Sequence, residues 1–245
     1  MSSPGRKLSI PNMKDIQNLR DERRINIRKV GVKTISYPVT VLDKARKVQK
    51  TVATVNMYVN LPHRFKGTHM SRFIEILNRF RGEINLQSFH FILQEMKERL
   101  DAEASHLEME FPYFMQRETA FDAIGLERYE CRMHGSLQEC DDLVLEITVP
   151  IFLPPPVNGQ GGMPCFTGRW GTAKAAVRFN HFIWIEDLIS LIKQGLSVGI
   201  RPHASVEVVT RALGKILLNH PAICWFSIVI ENLADGYSIF ATLEG

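Results

Sequence analysis

The sequence predicts an α+β protein built as a tandem, two β-β-α-α-β-β units in one chain, each an antiparallel sheet backed by a helix pair. Three observations predict it. Apolar residues alternate with polar ones over eight separate stretches, the period of a strand with one buried face. Apolar residues at helical spacing mark four further stretches. The order of these elements in the first half then recurs in the second, at a period of about 110 residues, too long for a solenoid.

In chain order, residues 1–28 show no sustained period and read as a flexible basic arm. Strand character starts at Val30: Ile35, Tyr37, Val39 and Val41 alternate, a basic turn is expected over Asp43–Lys50, and Val55, Met57, Val59 and Leu61 form the next strand. A helix starts near Ser71, with Phe73, Ile76, Leu77 and Phe80 on one face and Gly82 after its end. Phe89, Leu93, Met96 and Leu100 line a second helix, and strands follow around Leu107–Phe111 and Tyr129–Met133. The second unit repeats the order. Strands Leu143–Ile151 and Ala173–Phe179 flank a long loop, Pro154–Thr172. A helix carrying Ile185, Leu188, Ile189 and Ile192 is closed by Gly195, and another spans about His203–Leu218 before Pro221. Strands Ile223–Glu231 and Tyr237–Leu243 finish the chain, joined at Asp235-Gly236. The units run over 29–137 and 142–245. Two such sheets leave open edges, which must be paired or covered. Lateral joining within the chain and between copies into a barrel is the economical solution, so a homo-oligomer, dimer or tetramer, is expected.

The 245 residues, 45% apolar, suffice for one sizeable core or two small ones. No apolar h-region opens the chain, and the longest apolar-rich run, Ala222–Ile230, is roughly half of what a bilayer requires, so a soluble cytoplasmic protein without a membrane partner is expected. The net charge of +4 is uneven: residues 1–50 hold 13 Lys/Arg against 4 Asp/Glu. No aromatic residue interleaves with these charges before Tyr37, which favours a solvated arm over a nucleic-acid contact. The four cysteines form no C-x-x-C pair, and Cys131 and Cys224 read as buried small hydrophobes.

Few motifs carry chemistry. Gly159–Gly162 and Gly171–Lys174 match neither a P-loop nor a dinucleotide fingerprint. The histidines lack metal-ligand spacing on any helix. The stretch Lys66–Phe73, KGTHMSRF, stands apart. Lys66, Thr68, His69, Ser71 and Arg72 gather where a strand hands over to a helix, and the unpaired amides of a helix start suit a phosphate. The same residues also suit a capped loop, with Thr68 or Ser71 as N-cap and Arg72 in an ion pair.

KGTHMSRF, together with Val30–Lys33, Met57–Pro62, Phe111–Phe114, Thr148–Pro150 and Glu231-Asn232, resembles the type IB GTP cyclohydrolases, enzymes of the tunnelling fold. The resemblance covers nearly the whole chain from about Asp15. It implies tandem tunnelling-fold units in a homotetramer, a purine or pterin ligand, a phosphate grip at Lys66, Thr68, His69, Ser71 and Arg72, and Glu231 as a base-anchoring carboxylate. It also implies a divalent metal that activates water for attack on C8 of GTP, yielding 7,8-dihydroneopterin triphosphate.

The family's metal ligands are a Cys in a Cys-Pro-Cys stretch, a His in a Gly-x-His segment, a Glu before the last helix and a His near the C-terminus. An ungapped match puts Pro155-Pro156-Val157, Gly168–Gly171, the neighbourhood of Ile200 and the Leu233–Tyr237 hairpin at those places. Cys165 is the only thiol nearby. The expectation is therefore a family member without metal or other cofactor, which has lost ring opening and acts as a purine- or pterin-binding, regulatory or assembly protein. The alternative is an active GTP cyclohydrolase or related enzyme with a rearranged site, holding zinc or iron if Cys165 is recruited.

Overall fold

Strands and helices form where the two periodicities place them. In the computed structural model, which describes residues 29–61, 70–80, 86–116, 125–152, 169–199, 204–234 and 236–245, the first unit is β1 (Val30–Asp43), β2 (Lys47–Asn60), α1 (Ser71–Arg79), α2 (Leu86–Arg99), β3 (Ala104–Gln116) and β4 (Leu126–Leu137). The second is β5 (Asp141–Phe152), β6 (Arg169–Phe179), α3 (Ile185–Gly199), α4 (Val206–Leu218), β7 (Ile223–Ala234) and β8 (Tyr237–Glu244). All eight strands join one antiparallel sheet in sequence order, the two halves meeting where β4 pairs with β5. That pairing is the lateral joining within the chain that the open edges called for.

One face of the sheet is apolar and carries the helices. Ala53, Val55, Met57 and Val59 of β2 are buried there, as are Leu107, Met109 and Phe111 of β3. Phe73, Ile76 and Leu77 of α1 and Phe89, Ile92, Leu93 and Met96 of α2 close over them. In the second unit Ala173, Ala175 and Val177 of β6 and Phe226, Ile228 and Ile230 of β7 lie under Leu188, Ile192, Val209 and Leu213.

Three expectations need correction. The basic turn is only Lys44–Arg46, because the Asp43 carboxylate accepts the amides of Ala45 (2.9 Å) and Arg46 (2.7 Å) and closes it at once. Gly195 does not end α3, which runs on to Gly199. It lets α4 approach, since a Cβ there would lie 2.7 Å from Leu213 Cδ1. Cys224 is exposed, not buried: the β6–β7 ladder slips between Arg178 and Phe179 and leaves Cys224 as an extra residue between Ile223 and Trp225, which breaks the alternation there. Cys131, by contrast, is buried as expected, and burial pushes its thiol pKa well up.

The halves are fastened by the start of α3. Residues 182–185 cross above Val41, Phe111, Met133 and Leu145, leaving a cavity of only about 50 Å³. Glu186 then accepts the buried Tyr113 hydroxyl (2.6 Å) and the Lys44 amide (2.7 Å) on one oxygen, while Lys44 Nζ meets Asp187 at 2.7 Å. β1 and β8 are the edge strands. β8 exposes Tyr237 and Phe240, each 66% accessible, together with Ile239.

Candidate functional site

Ser71 and Arg72 open α1, but the cap geometry differs from the expected one. Met70 is the N-cap residue, with no side-chain hydrogen bond, and Ser71 already lies inside the helix. The Arg72 guanidinium donates to the Arg99 carbonyl (3.5 Å) at the end of α2. That carbonyl is one of the last of a helix and has no partner within it, so a cation there is favoured. Ser71 and Arg72 remain solvent-exposed. Lys66, Thr68 and His69 lie outside the described residues, as does Cys165.

Glu231 lies elsewhere. It is near the end of β7, paired with Thr172 and Phe240, and alternation with the buried Ile230 turns it away from the helices. Strand polarity separates it from α1. Asn60, the last residue of β2, pairs with Ala104 at the start of β3. Following the registers across the sheet, Glu231 lies level with the far end of β3, near Phe114. Ten residues of strand amount to roughly 33 Å. Within one chain, Ser71 and Arg72 therefore do not meet Glu231: they occupy opposite ends and opposite faces of the sheet.

The face away from the helices carries a polar network that motif reading missed. The Tyr58 hydroxyl donates to Glu108 Oε1 (2.9 Å), Asn56 Nδ2 donates to Glu108 Oε2 (3.0 Å), and the Thr34 amide donates to Asn56 Oδ1 (2.8 Å). The Tyr58 ring stacks on His106 with centroids 4.8 Å apart, and Lys29 Nζ sits 4.5 Å above it. Tyr58 is only 8% exposed although it faces away from the helix layer. Burial and the neighbouring Glu108 push its pKa up to about 12. Burial, with the charges of Lys29 and His134, lowers that of His106. Burial opposes ionisation of Glu108, yet hydrogen bonds from Asn56 and Tyr58 and the charges of His134 and Arg132 outweigh it, so its pKa is lowered. Further along, Arg132 pairs with Glu110, and Arg178 is bidentate on Asp142 (2.6 and 3.0 Å). Each of these residues was visible as the polar member of an alternating strand. Which of them would be opposite one another depended on register.

A thiolate and imidazole set for a borderline metal is not present among the described residues: no three His, Cys, Asp or Glu side chains gather to hold an ion. At the described positions matching the family's Gly-x-His segment and last hairpin stand Trp170, Gly171, Leu233 and Tyr237, and the Trp170 carbonyl is taken by Asn232 Nδ2 (3.0 Å). These described residues do not fit the ligand set that the resemblance implies. Among the described residues no helix is long and apolar enough to cross a membrane.

One sheet backed by two helix pairs, with a polar face left open, defines the tunnelling-fold class. Solved structures agree: uricase from Arthrobacter globiformis superposes with a TM-score of 0.56 over 89% of this chain and 92% of that one, at 10% identity. Urate oxidase from Bacillus sp. TB-90 gives 0.57 over 89% and 99%, at 8% identity. At such identities the likeness is one of fold alone. Sequence similarity is far closer. The type I GTP cyclohydrolase FolE2 family matches residues 13–156. GTP cyclohydrolase FolE2 of Syntrophotalea carbinolica is 42% identical over 95% of each chain, and that of Syntrophobacter fumaroxidans is 42% identical over 95% of this chain and 99% of its own. The chain belongs to the GTP cyclohydrolase FolE2 family. The resemblance carried by KGTHMSRF is thus correct at the level of GTP cyclohydrolases.

Proposed function

We propose that this protein is a GTP cyclohydrolase, opening the five-membered ring of the guanine base by hydrolysis at C8 and forming 7,8-dihydroneopterin triphosphate. The observation that carries this reading is the similarity to curated GTP cyclohydrolases along the whole chain, 42% over 95% of its length. It replaces lost activity as the leading expectation. Lys66, Thr68, His69, Ser71 and Arg72 take the triphosphate, for which an exposed cation at a helix start is suited. Glu231 accepts the N–H edge of the base. Because Arg72 and Glu231 belong to opposite ends of the sheet, the site is completed between two copies, one supplying the α1 entry and the other the end of β7. The exposed, apolar edge strand β8 supports such an assembly.

A second reading is favoured by one observation, that an ungapped sequence match puts no metal-binding side chain at the places of the family's metal ligands. On that reading the protein binds the nucleotide without opening it.

Two measurements on one sample decide between them: GTP binding by calorimetry, and pterin fluorescence after incubation with GTP and zinc, manganese or ferrous iron in turn. Metal-dependent product supports the enzyme. Binding without product under any metal moves the protein to the second reading, and no binding removes both. Shared sites have their own test. Arg72→Ala and Glu231→Gln proteins, each inactive alone, should regain activity when unfolded together and co-refolded. Failure to complement would place the whole site in one chain.

A further inference from the structure

We draw no further inference here: the strongest candidate, the cavity of about 620 Å³ between the β1–β2 turn, the end of β3 and the start of α3, carries nothing, because the Tyr113 hydroxyl and the Lys44 amide already hold its Glu186 carboxylate in the fastening of α3 and nothing in the structure shows what would fill it.

Discussion

The two units share an order of elements and solve their cores differently. In the first, large side chains meet the sheet: the Phe89 ring of α2 lies on Gly135 of β4, where an added Cβ would come within 2.4 Å of it, and Phe73 and Met96 fill the rest. In the second, the small residues lie between the helices and under them. Gly195 and Gly199 of α3 let the backbone of α4 approach, a Cβ at Gly199 meeting Val209 Cα at 3.0 Å, and Ala173 and Ala175 of β6 lower the sheet surface beneath. A duplicated topology therefore does not carry its packing with it. Each half needs only total volume and patterning to match. The edges differ as well. β1 is irregular, with Thr34 at φ 58°, whereas β8 is regular and apolar, which makes β8 the edge better suited to another strand.

Substitutions test whether the two cores differ in this way. The largest loss is expected for Phe89→Ala, about 3–5 kcal/mol, because the ring is fully buried and its removal leaves a cavity over Gly135, which has no side chain to fill it. Urea unfolding would measure it, and a loss below about 1 kcal/mol would show that the first core does not depend on its aromatics. Gly195→Val overpacks the second unit against Leu213 and should cost about 1–3 kcal/mol, whereas the same change at the open turn residue Gly236 should act only through its φ of 83°. Tyr113→Phe removes one of the two hydrogen bonds held by Glu186 Oε1, with an expected loss of about 1 kcal/mol, and should weaken the fastening of α3 to the first unit. Faster amide exchange at the start of α3 than at its end would confirm that link.

The smallest effect is a pH dependence. His106 has a lowered pKa in the folded chain, so the unfolded chain takes up the proton first and stability falls as the pH drops below about 6.5. Glu108, also lowered, adds stability that disappears only at lower pH, as the folded carboxylate itself is protonated. Melting temperature should decline in two stages on acidification, and His106→Phe should remove the first. For the edge strands, Ile239→Lys should weaken self-association in sedimentation experiments, while a Lys at the exposed Val52 of β2 should not.

Much of this was legible in the chain. Val55, Met57 and Val59 announce a strand with one buried face, and Phe73, Ile76 and Leu77 announce a helix lying on it, because both periods follow from local backbone geometry. KGTHMSRF, with the other matching stretches, was enough to point to the GTP cyclohydrolase family. Gly195 misled because a glycine at a helix end and a glycine at a helix crossing look alike in sequence. Cys224 misled because alternation places it on the covered face, and the slip in the β6–β7 ladder that breaks the alternation at that residue has no signal in the sequence.

The elements, their order and the family could be read from the chain, because each depends on residues close together in it. The tertiary structure alone decided that one sheet joins both units, that Tyr58, His106 and Glu108 share a network, and that Ser71 and Arg72 are at the other end of the sheet from Glu231. Those facts depend on strand register and polarity. The hairpin registers follow from their turns, but the pairing that brings Tyr58 to Glu108 joins residues fifty positions apart, and no local pattern encodes it.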